Sequence, residues 1–345
     1  MSAPSDTSGL GPARRAGART SMRRAGPVVL VALVAIAWPF VVSPYVVFLT
    51  TLILVNGIVA IGLNLLTGYT NQLSFGHAGF VAIGAYTGAL VTIHAPVIPV
   101  PFTLLLAGLV TALVGLALGI PCLRLEGLYL AMATLAFGFV VLEAIQNLDW
   151  LTRGADGLRV PPPSLGTIPL TSEIARYFLV AAVTVVMVAG AVSLVRTRTG
   201  RAFLAIRESE IAAQASGVDV ARYKTVAFVV SAFYTGVAGG LFAFVVGFLS
   251  PDGFDVFVSV DYLVMVIVGG LASVPGSLVG AAVVTLLNDW LAQFQNYRPL
   301  IFGAVLVAVM LFMPGGIASA INRLNRHGGL RAPPKPPARG APAEP

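Results

Sequence analysis

No Asp, Glu, Lys or Arg occurs from Ala25 to Leu123. A soluble domain is about a quarter charged, so it would place roughly 25 charged side chains in such a stretch. The rest of the chain shares the bias: 57% of its 345 residues are hydrophobic and 10% charged, with a mean hydropathy of +0.90. These values imply an all-α polytopic membrane protein. The apolar total suffices for about ten transmembrane helices of roughly 20 residues each.

Candidate spans fall near 27–43, 47–66, 75–94, 101–120, 127–147, 176–195, 225–248, 257–271, 276–293 and 300–317. Ten crossings are expected, or eight if two short segments are re-entrant. Arg14, Arg15, Arg19, Arg23 and Arg24 precede the first run, and Arg323, Arg326, Arg331, Lys335 and Arg339 follow the last. Cytoplasmic loops collect Lys and Arg. Both clusters, and a polar insert at 196–224, are therefore assigned to the cytoplasm. An even number of crossings satisfies all three and leaves 148–175 outside. The net charge of +7 is thus explained by orientation, and no nucleic-acid partner is expected. Arginines before V-V-L-V-A-L-V-A-I-A-W imitate a signal peptide. Because Pro39 and further apolar residues follow, the segment reads as an uncleaved first span. The expected organisation is a disordered basic N-terminus at 1–24, a transmembrane domain at 25–317 and a disordered Pro-rich basic tail at 318–345.

Two stretches read as interrupted helices. One is G-Y-T-N-Q-L-S-F-G-H-A-G-F, Gly68 to Phe80; the other is G-G-L-A-S-V-P-G-S-L-V-G-A, Gly269 to Ala281. Non-helical backbone at membrane depth survives only against protein or a water-filled cavity. A pair of such breaks, one in each half, points to an internal repeat around a central pathway. Gly84/Gly88, Gly115/Gly119, Gly236/Gly240 and Gly276/Gly280 each form G-x-x-x-G, the spacing that lets helices pack closely in lipid.

Several chemistries lack their residues. Cys122 is the single cysteine, so an intrachain disulfide or a cysteine metal cage cannot form. Of three histidines only His77 falls at membrane depth, and no metal ligand set is expected. Both lysines, Lys224 after Tyr223 and Lys335 after Pro334, lack the preceding Gly of a nucleotide-binding loop. Any ATP drive must then come from another polypeptide. Acids at depth would mark an ion-coupled secondary carrier. Glu143, Asp261 and Asp289 are the candidates, but each falls toward the outer end of its span, where a carboxylate reaches water.

The insert at 196–224 holds six basic and three acidic residues. Its core runs from Arg207 to Gly217. Glu208 and Glu210 suit the positive end of a short helix, and Gly217 suits a left-handed stop. Ala212, Ala213 and Ala215 leave little bulk, so another surface could approach the backbone.

Glu210-x-Ala212-Ala213-x-x-x-Gly217 resembles the E-A-A-x-x-x-G coupling loop of ABC importer permeases. G-L-N-L-L-T-G-Y-T-N-Q-L-S-F-G-H-A-G-F-V-A-I-G-A-Y (62–86), L-R-L-E-G-L-Y-L-A-M-A-T-L-A-F-G (123–138) and L-T-R-G-A-D-G-L (151–158) are similar to branched-chain amino acid permeases of the LivM type. Departures are Asn71 and Ala272 where the family usually has Gly, Gly79 for Ala, Phe139 for an acid, and Ser277 for Pro.

The resemblance implies a non-enzymatic permease subunit in a bacterial inner membrane, both termini cytoplasmic. Its expected partners are a homologous second permease, two ABC ATPases that bind ATP and Mg, and a solute-binding protein. This chain itself would bind no cofactor and would contact membrane lipid. ATPase coupling falls to Arg207, Glu210, Ala212, Ala213 and Gly217. The pathway is expected at Gln72, Ser74, Gly76 and His77, and binding-protein docking at Arg153, Asp156 and Arg159. Branched-chain amino acids are the expected cargo; urea and short-chain amides are carried on the same framework.

Overall fold

The computed structural model describes residues 33–293 except 123, 124, 126, 166 and 167, together with 300, 301, 303, 304, 307 and 316. The expected termini, 1–24 and 318–345, lie outside the described residues, as do the start of the first span and most of the last.

Helices occupy the described parts of every expected span. Helix α1 covers 33–41. It is followed by α2 (Pro44–Leu63, continued by a π-helical turn Asn64–Gly68), α3 (His77–His94), α4 (Val100–Cys122) and α5 (Leu128–Asn147). A short α6 (Asp149–Thr152) leads to α7 (Glu173–Arg196), α8 (Arg198–Glu208), α9 (Glu210–Ala215) and α10 (Val220–Val246). Then come α11 (Val256–Gly269) and α12 (Val274–Leu291). Among the described residues six of these are long and apolar enough to cross a membrane: α2, α4, α5, α7, α10 and α12. The 14 residues of α11 fall short of a bilayer's thickness.

The ends are set by local chemistry. Pro44 starts α2 at a position whose N–H would go unused. Ser172 caps α7 by accepting from Ile174 N, with Glu173 in its first turn and Arg196 in its last, matching the helix dipole. Asp219 caps α10, which stops at Gly247 in the left-handed region.

Helix α10 is the axis of the bundle. Of its most apolar window 72% is buried, against 28% for α5 and 22% for α7 at the periphery. Lipid supplies no hydrophobic drive between spans, so close backbone approach has to supply the packing. The glycine pairs of α3 and α10 cross each other. A Cβ at Gly84 would collide with the Gly236 backbone, and one at Gly88 would lie 3.1 Å from Gly240 Cα. Beside this crossing Phe80 packs on Phe137 and Phe228, with ring centroids 4.8 and 5.9 Å away.

At the bundle end that holds 148–172 the chain departs from pure helix. Leu158–Arg159 pairs antiparallel with Phe248–Leu249, and Ser164–Leu165 with Ile168–Pro169. These two-residue strands are outside the all-α expectation. Pro161, Pro162 and Pro163 bar a helix here, and the extended backbone is instead stitched to the end of α10, where Val160 N donates to Gly247 O at 2.9 Å.

Candidate functional site

The two helix breaks meet inside the molecule. The π turn at Asn64–Gly68 inserts one extra residue into α2, a device common at functional sites. The Asn64 amide lies against the second break. Its Nδ2 is 2.7 Å from Ser277 Oγ, 3.1 Å from Ser273 O and 3.3 Å from Gly270 O, and its Oδ1 accepts from Ala272 N at 2.9 Å. Asn64 is 1% exposed, so these groups replace water for it and it for them. Gly68 permits the approach: a Cβ there would collide with Asn64 Oδ1 and sit 2.6 Å from Ala272 N.

The first break, 71–76, is closed by its own polar side chains. Gln72 Nε2 donates to Thr70 Oγ1 at 2.8 Å, and its carbonyl accepts from Thr67 Oγ1 at 2.8 Å. His77 is held between Ser74 Oγ at 3.1 Å and Ser231 Oγ at 2.8 Å. Free amides are met from outside the segment: Phe75 N donates to Thr134 Oγ1 and Ala78 N to Ser259 Oγ, at 3.0 and 2.9 Å. Gly76 is pressed against α5, where a Cβ would lie 2.6 Å from Thr134 O. Gln72, Ser74, Gly76 and His77 are therefore together and buried, while Asn71 and Leu73 are the exposed residues of this turn.

The polar insert forms α8 and α9, joined at Ser209. Ser209 Oγ caps α9 by accepting from Ala212 N at 3.3 Å. The far end is a Schellman stop: Val218 N donates to Ala213 O and Gly217 N to Gln214 O, both at 3.0 Å, with Gly217 at φ +82°. Glu210 begins α9 and pairs with Lys224 Nζ at 2.5 Å, tying it to the base of α10. Glu208 ends α8 rather than starting the short helix. Ala213 faces inward and is 3% exposed. Ala212 and Arg207 are exposed, and so is Ile211 at 83%. An apolar side chain so bare in a polar insert is a signal that residue-type spacing alone did not pick out. The insert reaches the first break through α10: Glu210 pairs with Lys224 at the base of that helix, and Ser231, about two turns further on, meets His77.

Residues 45–314 match the family described as the branched-chain amino acid transport system permease component. The chain belongs to that family. It is 34% identical over 314 residues to the high-affinity branched-chain amino acid transport system permease protein LivM of Escherichia coli, covering 84% of this chain and 74% of that one. Against LivM of Salmonella typhimurium it is 34% identical over 308 residues, 82% and 72% of the two chains. With the E. coli LivH permease it shares 24% over 282 residues, 75% and 90%. No solved structure matches it.

Two residues expected to depart from the family pattern share one geometric setting. Asn71 (φ +57°) and Ala272 (φ +58°) occupy the left-handed region that favours Gly, one in each break. Ser277 supplies the hydroxyl that faces Asn64.

At the opposite end of α7 from the insert, Arg153, Asp156 and Arg159 line one cleft of about 480 Å³ with Trp150, His94 and Phe248. The acids considered for ion coupling are engaged and none is fully buried. Asn147 donates to Glu143 at 2.8 Å, Asn288 to Asp261 at 2.9 Å, and Tyr45 to Asp289. Among the described residues no group of three or more potential metal ligands occurs.

Proposed function

We propose that this permease imports branched-chain amino acids as the LivM-type subunit of an ABC importer, paired with a homologous permease and driven by two separate ATPases. The carrying observation is the α8–α9 insert in a chain of this family: a short helix capped at both ends, bound to α10, with Ile211 and Ala212 facing out. Such a rigid knob fits a cleft on a soluble partner, and ATP with its Mg would be bound there. Both chain ends and the insert would be cytoplasmic, with the 148–172 end turned toward a solute-binding protein that docks on Arg153, Asp156 and Arg159.

ATP-driven movement of the partner would shift α8 and α9 as one body with the base of α10. Glu210 is paired with Lys224 in α10 and Ser231 of the same helix meets His77, so the shift would reach the break at 71–76 through α10. Opening that break would expose Gln72, Ser74 and His77 beside the already exposed Asn71 and Leu73. A photocrosslinker at Ile211, activated in native membranes, should capture an ATPase of about the family's size. Capture of lipid alone would sink the docking assignment.

A further inference from the structure

We infer that the cleft between the end of α3 and the 149–159 loop is a binding site for a free α-amino acid with an apolar side chain. The inference deepens the reading of the chain as an amino-acid permease and depends on it. Arg153, Arg159 and Asp156 are exposed around this cleft, and none makes an ion pair or a side-chain hydrogen bond with a described residue. Lining one cleft, the three present two cationic positions and one anionic position to a ligand. A zwitterion needs that set: a guanidinium takes a carboxylate in a forked contact, and a carboxylate takes an ammonium. The rest of the wall is His94 together with apolar side chains. Leu90 and Phe248 contribute to it, and Trp150, 82% exposed, stands at its edge. A volume of about 480 Å³ holds one amino acid with room for water.

The loop that carries these charges is held firmly, as a site requires. Thr152 Oγ1 donates to Ile145 O and Leu148 O at 2.6 and 2.9 Å, and accepts from Gly154 N at 3.2 Å. Arg153 is fixed in the left-handed region at φ +61°, a strained backbone state that persists only where surroundings impose it. Gly157 abuts Phe248 so closely that a Cβ there would lie 2.5 Å from its ring. A face used only for protein docking needs charges at its rim but no cavity with an apolar wall behind them.

The test uses the complete transporter in lipid nanodiscs, without its binding protein, and saturation-transfer NMR with L-leucine as probe. Comparison ligands are 4-methylpentanoate, which lacks the ammonium, and 3-methylbutylamine, which lacks the carboxylate. Saturable leucine binding is expected, with both comparison ligands weaker by about tenfold, the loss of one charge-assisted contact. Arg153→Gln should weaken leucine about tenfold and leave the amine unchanged; Asp156→Asn should bring leucine and 4-methylpentanoate level. Absence of saturable binding to the wild-type complex would overturn the inference. So would variants that impair capture of the binding protein while leaving leucine binding intact. ATP-driven leucine uptake with the binding protein present, measured in parallel, separates the two readings. Uptake without cleft binding rejects only the cleft, and absence of uptake rejects the amino-acid permease reading itself.

Discussion

Asn64 holds four groups of the second break from a helix more than 200 positions away in sequence. Hydrogen bonds between membrane helices average about 0.6 kcal/mol, because the unfolded reference finds other partners. The backbone of 270–273 has no helix to return to, so the loss should exceed that average. Asn64→Ala is expected to destabilise by about 2–3 kcal/mol, the cost of stranding buried polar groups, read as a lower unfolding midpoint in detergent. Ala272 works the other way. A non-glycine residue in the left-handed region carries about 1 kcal/mol of strain, so Ala272→Gly should raise the midpoint, and a fall would show that its methyl packs usefully. Neither role was legible in sequence. The two glycine departures were visible, but their shared conformation depends on φ, and Asn64 shows nothing unusual until its distant partners are in place.

At the scale of elements, the short helix α9 has two faces that a string of alanines does not distinguish. Ala213 is inside, so Ala213→Arg should unseat α9 and reduce the amount of folded protein. Ala212 is outside, so Ala212→Arg should leave membrane levels unchanged while uptake falls at least tenfold. Equal loss of folded protein in both variants would contradict the assignment of faces. The α3–α10 crossing makes a sharper structural prediction. Gly84→Leu must push the Gly236 backbone away, and inserted protein should fall to a small fraction of wild type in membrane fractions; normal insertion would refute the crossing. The G-x-x-x-G spacing announced close packing, and both breaks were readable from polar, glycine-rich residues within apolar sequence. Which glycine pair faces which helix was not readable, because spacing gives a face and never its partner. The small strands at 158–159 and 248–249 were missed for a similar reason. Their pairing is non-local, and two residues are too few to show a period.

For the molecule as a whole, hydropathy located the helices well because each must satisfy its own backbone in lipid. Function was less direct. The missing nucleotide loop implied an external engine, and the insert indicated where one could attach. The arrangement joins these parts mechanically: α9 is tied to α10 by Glu210 and Lys224, α10 is the buried axis, the first break lies against it through His77 and Ser231, and the second break is held by Asn64. The central claim is that motion enters at this insert and is powered by ATP elsewhere. Its most direct test is uptake of labelled leucine into proteoliposomes holding the full complex, with binding protein outside and ATP added to the face that bears the insert. Uptake should require ATP and persist when ionophores collapse proton and sodium gradients. Uptake that proceeds without ATP and stops with the ionophores would contradict the account.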